Sequence, residues 1–341
     1  MRVAIVGAGP AGCAAALALR RRGAEVVLIS DACTAVGEQL PPSARPLLEQ
    51  LELLPLTGQL ECVGIRSAWE SELLSDQDFL FHPFGHGWLL DRQTFDTQLR
   101  RRAVAAGAQL LEPVRLVTLE RNGNWHLGLS RGELRCDWVI DASGRRSVVT
   151  RLLGVRRRRF DRQIALIGWL DSEQDDTDAT LTVESSGDGW WYTCRLPGLR
   201  RVAAWITATR PDRRRWEERL RATRHVSHLV ASYRVSGTVL VRAADSGLVE
   251  RTWGPGWLAI GDAAASYDPL ASRGIVSALG SGLAAAALVD APADRLASHH
   301  GALEERFHHY LEQRRQHYRS ADLSPPAEQG SVGGTGWATP S

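Results

Sequence analysis

The chain opens on an unbroken apolar run, Val3 to Val6, and a second run follows at Val26 to Ile29. Between them, residues 11–20 are rich in alanine and leucine. Short apolar runs on either side of a helical stretch predict two buried strands and a connecting helix. Further on, Gly37 to Ser43 reads as a loop leading into a short helix that runs to about Leu54, because paired prolines suit a first helical turn and forbid a strand interior. Phe95, Leu99, Ala103 and Ala106 recur at spacings of three and four, which predicts an amphipathic helix over 91–106 with Arg92 at its start. Residues 109–140 alternate strands and turns, with Asn122-Gly123 as a hairpin signal.

Between about 163 and 242 the period changes to two. Trp190, Tyr192, Cys194 and Leu196 point one way, and Val202, Ala204, Ile206 and Ala208 repeat the alternation after a Pro197-Gly198 turn. This predicts a separate antiparallel sheet. The first pattern resumes at Gly256 to Asp262, followed by a small-residue helix, Gly274 to Ala287, and a last helix over about 300–318. A tail rich in Pro, Gly and Ser from Ser324 is expected to be disordered. The resulting division assigns 1–60, 91–162 and 244–320 to a nucleotide-binding unit, 61–90 and 163–243 to the second sheet, and 321–341 to the tail.

At 341 residues and 44% hydrophobic content the chain can bury a full core in two lobes. No stretch reaches the ~20 apolar residues of a membrane span, so no membrane partner is expected and the cytoplasm is the default location. Five scattered cysteines (Cys13, Cys33, Cys62, Cys136 and Cys194) include no C-x-x-C pair and read as reduced packing residues. His225 and His228 lie three apart on an expected helix but have no third ligand near them in sequence, so no metal site is expected. A net charge of +2 argues against nucleic acid as a partner. All 41 basic residues are arginine. With no lysine there is no Schiff-base chemistry and no amine to take up an oxidant.

The chemistry concentrates at Gly7-x-Gly9-x-x-Gly12, directly after the first strand. Gly7 suits a tight turn, Gly9 with Pro10 and Ala11 lets phosphate oxygens approach the start of the helix, and Gly12 allows close helix–strand packing. This predicts a dinucleotide site. The ribose-binding acid is expected about 20 residues later, where the chain reads Ser30-Asp31. Either Asp31 takes the ribose hydroxyls one residue late or Ser30 holds them.

Three separated motifs, the glycine loop, Asp141-Ala-Ser-Gly144 and Ala259-Ile-Gly261-Asp262, together resemble the FAD-dependent monooxygenase superfamily with the p-hydroxybenzoate hydroxylase-like fold. That resemblance implies an α/β protein: a Rossmann-like FAD-binding fold with an inserted antiparallel sheet as substrate domain. It gives Asp262 a role on the ribityl chain of non-covalent FAD. It also places the helix opened by Asp268-Pro269-x-x-x-x-Gly274-Ile275 against the flavin pyrimidine edge. The segments Gly37-Glu38-Gln39-Leu40-Pro41-Pro42, Gly87-Trp88-Leu89-Leu90-Asp91-Arg92, Gly189-Trp190-Trp191-Tyr192 and Tyr267 to Ile275 look like the tryptophan halogenase branch. They are closest to its relatives that hydroxylate protein-bound tryptophan during tryptophylquinone maturation, and by that resemblance Glu38 and Arg92 contact FAD.

Halogenases of this branch use an active-site lysine and a Trp-x-Trp-x-Ile-Pro strand. Here no lysine exists and the strand reads Tyr192-Thr-Cys194-Arg-Leu196-Pro197. Halogenation is therefore disfavoured, and the expectation is a monooxygenase that uses a flavin C4a-hydroperoxide to hydroxylate an aromatic ring, free or peptide-bound. Trp190, Tyr192 and Trp205 are candidates for the pocket wall, Tyr192 and Cys194 for its reactive part, and His86 for an acid or base. No separate NAD(P)H-binding domain is visible, so electrons reach FAD from NAD(P)H directly or from a partner flavin reductase. The rival readings are a flavin-dependent reductase or dehydrogenase, a halogenase-like protein without the lysine, and a non-catalytic flavin-binding partner.

Overall fold

The computed structural model describes residues 1–31, 36–209, 212–321 and 323, apart from the side chain of Arg213. Its first sheet has six strands in the order Trp253–Gly254, Trp257–Ala259, Trp138–Asp141, Arg2–Val6, Glu25–Ile29, Gln109–Leu111. All neighbours are parallel except the antiparallel edge strand at 253–254. Val3 to Val6 are buried because both faces of this sheet are covered, which is why its strands read as continuous apolar runs. On one face lie the helices Pro10–Arg21, Arg92–Ala105 and Gly274–Leu288, contributing Leu17, Leu99 and Leu279. On the other lies a small sheet of 116–136 that turns at Gly123 and contributes Trp125 and Leu134. Two of the helices touch backbone to backbone: a Cβ added at Gly282 would come within 2.4 Å of the Ala11 carbonyl oxygen.

The second sheet has seven strands, ordered Arg234–Ala243, Ile164–Asp171, Arg200–Thr207, Gly189–Leu196, Thr180–Ser186, Gly64–Ala68, Ser75–Asp78. It departs from the expected purely antiparallel sheet at one place, where 180–186 and 64–68 run parallel. The earlier segment joins the sheet at its side by a crossover, which a hairpin cannot make. Strands Leu60–Cys62 and Gly87–Leu89 do not enter this sheet; Gly87–Leu89 pairs with Leu60–Cys62 on one side and Gln39–Leu40 on the other in a separate three-stranded one.

Alternation sorts the second sheet cleanly. Trp190, Tyr192, Cys194, Leu196, Val202, Ala204 and Ile206 share one face, and Trp191, Ala203 and Trp205 share the other with Trp216 and Leu220. Trp205, a candidate for the pocket wall, therefore packs on the far side of the sheet, stacked on Trp191.

Two helix boundaries differ from expectation. The helix Arg45–Gln50 stops short of Leu54 because Glu52 turns into the left-handed region (φ 54°) and the Leu53 N–H closes on the Leu48 carbonyl at 2.9 Å. The last helix runs over Ala293–Ser320, beginning earlier than 300 because Pro292 caps it and Leu296 is already buried. The expected disordered tail lies largely outside the described residues, but Leu323 is buried against the second-sheet core. Among the described residues no helix is long and apolar enough to cross a membrane.

Candidate functional site

Parallel strands deliver their C-terminal ends to one edge of the sheet, and three sequence-distant turns meet there: after Val6, after Asp141 and after Ala259. Gly7 has φ 115°, and a Cβ on it would sit 2.2 Å from the Ala142 oxygen; one on Gly12 would sit 1.9 Å from the Gly7 oxygen. At Gly9 an added Cβ meets nothing within 4 Å. Gly9 also caps the helix Pro10–Arg21, with no side chain satisfying its first N–H groups. An open space in front of unpaired backbone donors fits a pyrophosphate. Helix Gly274–Leu288 likewise begins without a side-chain cap, and Gly274 is open in the same sense. Ile275 packs on the core behind it.

The other two turns are held by side chains. Buried Asp141 accepts from Ser143 N (3.1 Å) and Oγ (2.5 Å) and from Thr150 N (2.9 Å), which fixes the turn leading to Gly144 (φ 66°). Burial pushes the Asp141 carboxyl above its usual range. Gly261 (φ 56°) lies against Ala11, where a Cβ would come within 2.8 Å of the Ala11 Cβ. Asp262 is half-buried and faces Arg145 at 3.6 Å, and the helical turn it sits in has no side-chain cap, so it does not serve as one. At the end of strand Glu25–Ile29, Ser30 donates its hydroxyl to Glu112 Oε1 at 3.0 Å, while Asp31 pairs with Arg146 at 3.3 Å.

The loop 36–38 bridges the two sheets. Arg92 binds Asp96 through its guanidinium at 3.2 Å and donates to the carbonyls of Val36 and Gly37, so its side chain pins this loop to helix Arg92–Ala105. Glu38 is 3% exposed; its Oε2 accepts from the Tyr192 hydroxyl at 2.9 Å and from Gly37 N–H at 3.0 Å. Burial raises the Glu38 carboxyl, against the pull of Tyr192 and Arg92. Burial, reinforced by Glu38, holds the half-buried Tyr192 phenol well above its usual value, and Cys194 behind it is raised in the same way. These are neutral groups at pH 7 and not ready nucleophiles.

Sequence reasoning missed a buried polar network around Asp268. Its Oδ1 accepts from Leu270 N at 2.9 Å, so it caps the short turn begun by Pro269. Its Oδ2 accepts from the Tyr318 hydroxyl at 2.8 Å, its N–H donates to the Tyr310 hydroxyl at 2.7 Å, and burial lifts its carboxyl to about 6. The Tyr318 oxygen also accepts from Trp190 Nε1 (2.8 Å) and Gln163 Nε2 (2.6 Å) on the second sheet. Arg314 pairs with the fully buried Asp161 and reaches Ser246. The available signal was the spacing of Tyr310, Arg314 and Tyr318, four apart on one helix face.

Other candidates fall elsewhere. His86 faces Glu61 at 3.5 Å and the edge of Trp88, on the small sheet. His225 Nε2 lies 2.7 Å from the Glu72 carbonyl. Among the described residues no three metal-ligating side chains gather. Cys13, Cys62, Cys136 and Cys194 are buried free thiols; Cys33 lies outside the described residues.

A family model for tryptophan halogenases matches residues 55–319, and one for pyridine nucleotide-disulphide oxidoreductases matches residues 1–76. The menaquinone reductase of Mycobacterium tuberculosis is 30% identical over 84% of this chain and 76% of its own length. Among solved structures, the peptidyl tryptophan dihydroxylase QhpG, essential for tryptophylquinone cofactor biogenesis, superposes with a TM-score of 0.75 at 26% identity over 97% of this chain and 76% of that one. The flavin-dependent halogenase CmlS superposes with a TM-score of 0.82 at 22% identity, over 95% of this chain and 66% of that one, a likeness of fold.

Proposed function

Since this chain belongs to the tryptophan halogenase family of FAD-dependent oxidoreductases, we propose that it hydroxylates an electron-rich aromatic ring, an indole or phenol, free or held in a peptide. The observation that carries this reading is the complete absence of lysine from a chain that otherwise keeps the halogenase framework. Arginine cannot replace that amine, because its guanidinium stays protonated and delocalised. Reduced FAD, when bound, supplies the activation of O₂. Gly9 and the open helix start at Gly274 would hold the cofactor through backbone N–H groups, with Asp262 on its polyol chain.

The Trp190, Tyr192 and Cys194 face of the second sheet lies opposite the nucleotide fold and forms the dry wall that positions the ring. At that wall the Tyr192 hydroxyl donates to the buried Glu38 Oε2 at 2.9 Å, which fixes the orientation of the phenol. Electrons come from NAD(P)H or a partner flavin reductase. The 30% identity to a menaquinone reductase supports a second reading, hydride transfer without oxygen insertion.

One experiment separates these. Reduced FAD, ¹⁸O-labelled O₂ and excess bromide are incubated with the protein and a panel of indoles, phenols and tryptophan-containing peptides, followed by mass spectrometry. The expected product gains labelled oxygen and no bromine. A brominated product overturns hydroxylation, and a redox change without label establishes the reductase reading.

A further inference from the structure

The acid expected to bind the adenosine ribose is missing from the end of strand Glu25–Ile29, where Ser30 stands in its place. The neighbouring strand supplies one. Gln109–Leu111 runs parallel in the register Val27↔Gln109, Leu28↔Leu110, Ile29↔Leu111, so the next pair across the sheet end is Ser30 and Glu112. Backbone bonds lock it: Ser30 N–H donates to the Leu111 carbonyl at 3.0 Å, and Val114 N–H donates to the Ser30 carbonyl at 2.8 Å. The Ser30 hydroxyl then donates to Glu112 Oε1 at 3.0 Å. The short serine thus leaves room for a longer carboxylate from next door.

The side of the sheet also agrees. Val26 and Leu28 face the glycine-loop helix, whereas Val27 and Ile29 face the opposite core. By the same alternation Ser30 and Glu112 lie on the glycine-loop side, and Asp31 points to the other, where it meets Arg146. Arg100, from the helix Arg92–Ala105 on the glycine-loop side, holds the Glu112 carboxylate at 3.2 and 3.4 Å. The Glu112 side chain is 30% exposed. A carboxylate has about four lone-pair sites, and these contacts leave acceptor capacity facing solvent.

We infer that Glu112, in place of Ser30 or Asp31, is the residue that accepts the hydroxyls of the adenosine ribose of FAD. The inference rests on the FAD reading above. It makes the ribose acid a product of two strands: one gives up the position and the other fills it.

The test is FAD affinity of the apoprotein, followed by flavin fluorescence, with AMP and 2′,3′-dideoxy-AMP as competitors. Glu112→Gln should weaken FAD and AMP about tenfold, the scale of one charge-assisted hydrogen bond, and leave dideoxy-AMP unchanged. Asp31→Asn should stay within about twofold. Ser30→Glu combined with Glu112→Gln should recover FAD affinity, because the carboxylate returns on the other strand. Equal losses for AMP and dideoxy-AMP would make Glu112 a purely structural residue, and full affinity in Glu112→Gln with loss in Asp31→Asn would hand the role to Asp31; either result overturns the inference. If the parent protein binds no FAD, the cofactor reading itself fails, which is a separate outcome.

Discussion

The glycine-loop edge of the nucleotide fold and its seam with the second sheet build their polar centres by opposite means. At the glycine loop the donors are backbone N–H groups left without a side-chain partner, in front of a space that a Cβ at Gly9 would enter freely. Around Glu38 and Asp268 the acids are withdrawn from water and held by named side chains, Tyr192 for one and Tyr318 for the other. The first arrangement is open and waits for a ligand; the second is closed and satisfied within the protein. A site built from backbone tolerates only glycine at certain positions, whereas a side-chain network can be assembled from residues far apart in the chain.

The largest effect should come from violating the backbone-built half. Gly9→Val places a branched side chain where phosphate oxygens would lie, while nothing of the protein stands within 4 Å to resist it. FAD affinity should fall at least about 100-fold, or about 3 kcal/mol, with the melting temperature of the apoprotein nearly unchanged. Flavin titration and circular dichroism together check this. Normal flavin content in the variant would mean that the open space is not the cofactor site.

The closed half should answer to pH. Folded Asp268 keeps its proton to about pH 6, whereas an unfolded aspartate loses it near about 3.9. Between those values the native state binds more protons than the unfolded one, so stability falls as pH rises through the window; below it both states are protonated and the effect is gone. Complete ionisation corresponds to about 3 kcal/mol at 1.36 per pH unit. Asp268→Asn keeps an oxygen for Leu270 N–H, turns an amide N–H toward the Tyr318 hydroxyl oxygen, and should flatten the stability slope between about pH 4 and 6. The groups facing it, Tyr310, Tyr318, Arg314 and Asp161, remain in place, so the difference between the two proteins isolates Asp268. Parallel slopes in denaturant melts of the two would show that Asp268 is ionised throughout.

This contrast also sets what the sequence revealed. The three turns at the sheet edge were legible because each needs small residues at fixed offsets: Gly7 and Gly12 for contacts under 3 Å, Gly261 for its approach to Ala11. The two faces of the second sheet were legible from period two, with Trp190, Tyr192, Cys194 and Leu196 on one of them. Trp205 was grouped with Trp190 and Tyr192 although it stands on the opposite face, because odd and even positions of a sheet covered on both sides are equally apolar. The Asp268 network was hidden for another reason. Its members, Asp161, Gln163, Ser246, Tyr310, Arg314 and Tyr318, come from separate segments, and a tyrosine on a helix carries no mark of the acid it will meet. Ser30 with Glu112 is the intermediate case: the vacancy showed in sequence, but its neighbour appeared only with strand order.

The smallest effect concerns the pair that joins the halves. Tyr192→Phe keeps the ring beside Trp190 but removes the hydroxyl from Glu38 Oε2, leaving Gly37 N–H as the donor to that oxygen. The loss of one neutral hydrogen bond to a buried acceptor should cost about 1 kcal/mol, and a double-mutant cycle with Glu38→Gln should return a coupling of similar size. Its pH dependence is the sharper measure. Burial already raises the Glu38 carboxyl, and Tyr192 is the largest influence pulling it back down. Without the hydroxyl the folded-state value moves higher still, so the protonated form persists further and the penalty for ionising it in place grows. Tyr192→Phe should therefore destabilise more as pH rises through the raised Glu38 titration than below it, where the protonated carboxyl depends less on an outside donor. Equal losses across the whole pH range would mean that the hydroxyl acts only by packing, and the bridge between the two halves would then be steric and not a hydrogen bond.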